Sequence, residues 1–188
     1  TKSSHFAFVL EEAIKNDISI ETSSAFDMDI VKSLYNKGKV EKNIEVICNG
    51  FKTDDYLTNI SDMINGGFEN ITPILDNYRE LDKLTESIDK TFNIGIRIAS
   101  EEEPKFEFYT SRLGIGYKDI IPYYSQKIAD HPNARLKMLH FFINTGIKDT
   151  AYYWNELYKC LRVYARLKKI APEVDSLNIG GGFPIKTS

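Results

Sequence analysis

An α/β fold of the TIM-like (β/α)8 barrel type, incomplete at about seven strands, is the class this sequence predicts, and three observations predict it. Short apolar runs alternate with longer stretches of 3.6-residue periodicity along nearly the whole chain, the pattern of a parallel sheet covered by helices. The alternation gives six βα units and a seventh strand in 188 residues, most of a barrel of eight units and about 250 residues. The glycine turn Gly180-Gly181-Gly182 follows the seventh strand. A doubly wound sheet, the alternative on alternation alone, carries its glycine turn after the first strand, whereas a barrel keeps its anion site after strands seven and eight.

The elements follow in order. Thr1-Lys2-Ser3-Ser4 reads as the end of a first strand and leads into a helix with Phe6, Val9, Leu10 and Ala13 at helical spacing. Ile18-Ser19-Ile20 alternates and predicts a strand ending at Glu21-Thr22. Ser24 caps the next helix, with Asp27 three residues on as in a capping box. The apolar face of that helix is Ile30, Val31, Leu34 and Tyr35, and Gly38 stops it. Ile44 to Cys48 is a strand ending at Asn49-Gly50, and the helix after it places Tyr56, Leu57, Ile60, Met63 and Ile64 on one face before Gly66-Gly67. Ile71 to Leu75 is a strand ending at Asp76-Asn77, and Leu81, Leu84 and Ile88 mark its helix. Phe92 to Ile98 is a strand carrying Arg97 near its end.

An irregular piece, Ala99 to Gly116, holds Glu101-Glu102-Glu103-Pro104, which reads as a solvated loop and not as a metal site. A helix from about Asp119 to Ala129 tolerates Pro122 in its first turn. Leu136 to Phe142 is a strand ending in Ile143-Asn144-Thr145-Gly146. The long helix after it puts Trp154, Leu157, Tyr158, Leu161, Tyr164 and Leu167 on one stripe, read as core packing. Ser176 to Ile179 is the strand into Gly180.

Composition bounds the rest. The chain is 42% hydrophobic and 27% charged, an ordinary globular balance, and its net charge of -3 argues against a nucleic-acid or anionic-membrane partner. No apolar run is long enough to span a membrane. Cys48 and Cys160 lie inside apolar patterns without metal-ligand spacing and read as buried free thiols of a cytoplasmic protein. Residues 1–188 read as one domain, and neither end reads as a natural terminus, so the expectation is a piece of a longer protein.

In a barrel the C-terminal ends of the strands meet at one face, where active sites are built. The sequence assigns to that rim Lys2, Glu21, Asn49, Asp76, Arg97, Phe142 with Asn144 and Thr145, and Gly180 to Gly182. A glycine triplet by itself reads equally as a flexible turn, but residues without a Cβ also let successive N–H groups close on an anion such as a phosphate. A lysine, an acid, an arginine and such a cradle at one mouth form a set. A buried lysine amine can form a Schiff base with an aldehyde, and pyridoxal phosphate supplies the aldehyde, the phosphate and an electron sink.

Six short segments carry a resemblance: Lys2-Ser3-Ser4-His5-Phe6, Ile20-Glu21-Thr22-Ser23-Ser24, Ile47-Cys48-Asn49-Gly50-Phe51-Lys52, Gly95-Ile96-Arg97-Ile98, Leu139-His140-Phe141-Phe142 and Gly180-Gly181-Gly182-Phe183-Pro184. In this order the chain resembles the cofactor barrel of the alanine-racemase-like class of pyridoxal-phosphate enzymes, most closely the biosynthetic arginine decarboxylases. The resemblance implies that Lys2 is catalytic and holds pyridoxal 5'-phosphate covalently. It implies that Gly180, Gly181 and Gly182 take the phosphate through backbone N–H groups, that Arg97 lies near the 3-hydroxyl, and that Glu21 lies beside the cofactor and its lysine. Thr145 stands where relatives have a serine that assists the phosphate. Relatives commonly read Phe-His-x-Gly-Ser where this chain has Phe141-Phe142-Ile143-Asn144-Thr145. Phe142 can still stack on the cofactor ring but cannot donate a hydrogen bond or move a proton. His140 is the nearest imidazole and reads as a hydrogen-bonded core residue.

The implied activity is decarboxylation of a small basic amino acid, L-arginine to agmatine and CO2, for polyamine and spermidine synthesis, by a homodimer or higher homo-oligomer, with Mg2+ as an accessory ion by the same resemblance. Family enzymes complete the site from a β-rich domain after the barrel and from a partner subunit, so the segment alone is expected to be inactive. Two rivals stay open: a change of substrate to ornithine or diaminopimelate, and a non-catalytic regulatory homologue, for which the missing ring-stacking histidine speaks.

Overall fold

The computed structural model describes residues 6–99, 113–143 and 150–181, and within them strand follows helix as the periodicity predicts. The strands are ordered β1-β2-β3-β4-β6-β7, with β5 beside β4, and the β1–β2, β2–β3, β4–β5 and β6–β7 ladders are parallel. Neighbours in space are thus neighbours in sequence, apart from the short β5. A doubly wound sheet reverses direction at a switch point; this order has none and is that of a β/α barrel. The chain divides into two compact units, Thr1–Ile94 with Pro132–Arg135, and Gly95–His131 with Leu136–Ser188.

The first unit contains α1 (Ala7–Lys15), β1 (Ile20–Thr22), α2 (Ala25–Asn36), β2 (Glu45–Cys48), α3 (Asp54–Asn65), β3 (Asn70–Leu75) and α4 (Tyr78–Ser87). Its registers run Ile20–Val46–Ile71, Glu21–Ile47–Thr72 and Thr22–Cys48–Pro73. Side chains alternate across a strand, so these rows take opposite faces in turn. The Thr22 row packs on the helices: the Thr22 hydroxyl lies 2.8 Å from the Tyr56 hydroxyl, and the Cys48 thiol 3.7 Å from the Met28 sulfur. The Glu21 row takes the other face. The starts of α2, α3 and α4 are each fixed by a short polar side chain, Ser24 accepting from Asp27 N, Thr53 from Tyr56 N, and Asn77 from Arg79 N and Glu80 N. The return bond expected from Asp27 goes one residue further back, to Ser23 N at 2.7 Å.

The second unit takes the later part of β4 (Phe92–Ala99), then β5 (Ile115–Gly116), α5 (Ile120–Tyr123), most of β6 (Ala134–Phe141), α6 (Thr150–Ile170) and β7 (Ser176–Asn178). In it Ile98 pairs with Ile115, and His140 pairs with Asn178. After α5 the helix widens: Tyr124–Ile128 is a π-helical turn closed by Ala129 N on Tyr124 O at 2.9 Å.

The predicted first strand, with Lys2, lies outside the described residues. Several other expectations are corrected. The strand read from Ile18 begins at Ile20, and Ile18 is exposed, because Asp17 turns through φ 56° just before it. On α1 only Leu10 of the four apolar positions is buried, while Phe6 is 67% exposed. On α2 the buried face is Met28, Val31 and Leu34, and Tyr35 lies at the margin, edge-on to Phe68 at 5.1 Å. The stripe on α6 is displaced: Tyr153, Leu157, Cys160, Val163 and Leu167 are buried, whereas Trp154, Tyr158 and Leu161 are exposed. A long helix with aromatics on two adjacent stripes offers two apolar faces, and periodicity does not choose between them. The two-residue β5 inside the irregular piece is too short to show a period. Cys48 and Cys160 are both buried and free, as predicted.

Candidate functional site

In the first unit the rim begins at Glu21 and Asn49. The Asn49 side-chain amide donates to Glu21 Oε1 at 3.3 Å, while its own backbone N–H donates to Thr22 O at 2.9 Å. Asn49 Oδ1 accepts from Gly50 N at 3.0 Å, and the Tyr56 hydroxyl reaches Asn49 O at 3.4 Å. Asn49 is therefore buried and held on several sides, and it aims the exposed Glu21 carboxylate. One strand further, Asp76 follows directly on β3 and is buried, with its N–H donating to Glu80 Oε2 at 2.9 Å.

Beneath these residues lies a group whose role sequence reasoning missed. Lys52 Nζ donates to Gly50 O at 2.9 Å, to Ile74 O, and to Glu80 Oε2 at 3.2 Å. Its side chain is 0% exposed and that of Glu80 4%. Glu80 Oε1 accepts from Asn77 Nδ2 at 3.2 Å and Lys52 N at 3.4 Å. Burial pushes the Glu80 carboxyl above its ordinary value, against the pull of the Lys52 ammonium and the Asp76 N–H. Lys52 is quoted in the resemblance without a role, and no sequence period links it to an acid 28 residues away.

In the second unit Arg97, Phe142 and Gly180 come together. Arg97 is buried near the end of β4, its guanidinium 5.7 Å from the centre of the Phe142 ring, within the range of a cation–π contact. Phe142 follows β6 directly and is half-buried. Gly180 turns the chain after β7 with φ +70°, and a Cβ there would lie 2.8 Å from Phe141 O and 2.9 Å from Phe142 Cδ2. Only glycine fits that turn. Its N–H donates to Asn178 Oδ1 at 2.9 Å, so it serves the turn and is not offered to a ligand. Gly181, exposed and with nothing within 4 Å of its Cβ position, keeps the open approach an anion needs. His140 is buried in β6 beside Asn178, the core position expected for it.

The predicted site residues are thus distributed as follows. Glu21 stands with Asn49 in the first unit. Arg97, Phe142, Gly180 and Gly181 stand in the second. Lys2, Thr145 and Gly182 lie outside the described residues. Among the described residues no group of three or more His, Cys, Asp or Glu side chains could hold a metal, so they offer Mg2+ no cluster of ligands. No helix among them is long and apolar enough to cross a membrane.

Parallel βα units in this strand order define a β/α barrel domain. The chain belongs to the pyridoxal-dependent decarboxylases: the model of that family's pyridoxal binding domain matches residues 1–188. The biosynthetic arginine decarboxylase of Citrifermentans bemidjiense is 24% identical over 151 residues, covering 76% of this chain and 24% of the relative. The chain therefore spans about a quarter of the length of that relative. Among solved structures, the biosynthetic arginine decarboxylase of Campylobacter jejuni superposes with a TM-score of 0.64 at 20% identity, over 94% of this chain and 28% of that one. Lysine decarboxylase from Selenomonas ruminantium gives a TM-score of 0.70 at 20% identity, over 94% and 43%. These likenesses carry the barrel fold.

Proposed function

We propose that this chain is the pyridoxal-phosphate-binding barrel of an arginine decarboxylase, converting L-arginine to agmatine and CO2. The observation that carries the reading is the meeting of Arg97, Phe142 and the Gly180 turn at the ends of β4, β6 and β7. The open space at Gly181 fits a phosphate, and Gly181 with Gly182 would bind it through backbone N–H groups, joined by the Thr145 hydroxyl. Phe142 would lay its ring face on the cofactor, and Arg97 would face the 3-hydroxyl. Lys2 would hold the cofactor covalently by its amine, beside the Glu21 carboxylate that Asn49 aims. Lys52 is not that amine, because its three N–H donors already have three acceptors. Bound pyridoxal phosphate supplies an electron sink for the pair left behind when CO2 departs. Phe142 moves no proton, so proton transfer falls to Lys2 or to residues outside this chain. The same reading takes the whole protein as a cytoplasmic homodimer or higher homo-oligomer serving polyamine synthesis.

The choice of arginine rests on the curated relatives. The test is the protein that carries this chain, given pyridoxal phosphate and offered arginine, lysine, ornithine and diaminopimelate in turn. A yellow protein whose visible band is abolished by Lys2→Ala, and which forms agmatine fastest, is the expected result. A yellow protein that prefers another of the four keeps the cofactor and changes the substrate. A colourless one favours the regulatory homologue, the reading that Phe142 in place of histidine supports.

A further inference from the structure

The geometry points to Lys52 as a positioning residue: with Glu80 it fixes the loops after β2 and β3, and so sets the part of the cofactor rim that carries Asn49 and Asp76. The inference rests on the reading of that rim as part of a pyridoxal-phosphate site. Gly50, whose carbonyl Lys52 holds, directly follows Asn49, the residue that aims Glu21. Ile74, whose carbonyl it also holds, lies two residues before Asp76. Glu80 holds the Asp76 N–H and, through Oε1, the Lys52 N–H, so the two loops are tied to each other from both ends. One ammonium with three acceptors and one carboxylate with four donors leave neither loop free to slide against the other.

A buried ion pair is a poor source of stability, since apolar residues of like volume commonly hold a fold as well or better. An apolar pair, however, cannot bind the carbonyls of Gly50 and Ile74 or the N–H of Asp76. Stability and rim geometry can therefore be separated by substitution. The variants are Lys52→Met, and Lys52→Met combined with Glu80→Leu, made in the protein that carries this chain. Three readings are taken: melting temperature, pyridoxal-phosphate affinity by absorbance titration, and amide hydrogen exchange of residues 49–52 and 74–77.

Lys52→Met alone is expected to lower both the melting temperature and the affinity. The double variant is expected to regain the melting temperature while its affinity stays about tenfold or more below the parent, the scale on which small misplacements act, and both loops exchange faster. Glu80→Gln, which keeps the size of the side chain, supplies the same readings if the double variant does not fold, with weakened affinity and faster exchange expected again. Parent-like affinity and exchange in a folded double variant, or in Glu80→Gln, would make the pair merely structural and overturn the inference. If the parent itself takes up no pyridoxal phosphate, the reading of the rim fails, and loop exchange alone decides whether Lys52 braces the two loops.

Discussion

The first unit ties down its rim with charge: an ammonium and a carboxylate, both buried, hold two loops and, through Asn49, the Glu21 carboxylate. The second unit holds its rim by contact: a Gly180 turn pressed on Phe141 and Phe142, and the Arg97 guanidinium near the same ring. A charge brace acts on several backbone groups at once, so losing one member should loosen a whole loop pair. A contact-packed turn has little slack, so one methyl group should displace it while leaving distant parts alone. Rigid placement of rim residues has been reached in one chain by two unrelated means.

The comparison is broken most directly at Lys52. Lys52→Met leaves the Glu80 carboxylate buried without its cation and should cost about 3–5 kcal/mol, read by denaturant unfolding; a loss below about 1 kcal/mol would show that the brace carries little. Gly180→Ala should come next, at about 1–3 kcal/mol, because alanine meets a left-handed φ and two close neighbours. Gly181→Ala beside it has open space, so a similar loss there would mean that the turn is not held by packing.

Alkali tests both units together, since each buries one thiol. Burial pushes Cys48 up to about 11 and Cys160 up to about 12 from an ordinary 9.0. Both values are raised, so the stability gained by keeping the thiols neutral is complete below pH 9.0 and is lost as pH climbs through 11 and 12. The expected slope above pH 9 is up to about 1.4 kcal/mol per pH unit for each thiol, and Cys48→Ala or Cys160→Ala should each remove one share. The smallest effect belongs to Glu21→Gln. The side chain is exposed, so unfolding should change by no more than about 0.5 kcal/mol, while pyridoxal-phosphate affinity falls if Glu21 faces the cofactor.

What the sequence revealed follows the range of the physics. Strand and helix alternation, the Ser24 cap and the glycine turn are local, fixed by residues a few places apart, and all were legible. The meeting of Arg97, Phe142 and Gly180 was legible only as a set of strand ends, because the barrel rule places them before any contact is known. The Lys52–Glu80 pair was not, since nothing in the residues around a lysine announces an acid from another βα unit. The face of α6 was misread because Trp154 and Tyr158 repeat as regularly as Tyr153 and Leu157, and only the neighbours decide which stripe goes inward.

That misread stripe leaves the only tryptophan of the chain, Trp154, 64% open to solvent and edge-on to Tyr153 at 5.7 Å. Its emission should be that of a wet indole, red-shifted and readily quenched by iodide, and blind to changes in the core. Ultraviolet fluorescence from this residue is thus a ready-made lamp on the outer side of α6, dimming in iodide only for as long as nothing settles over it.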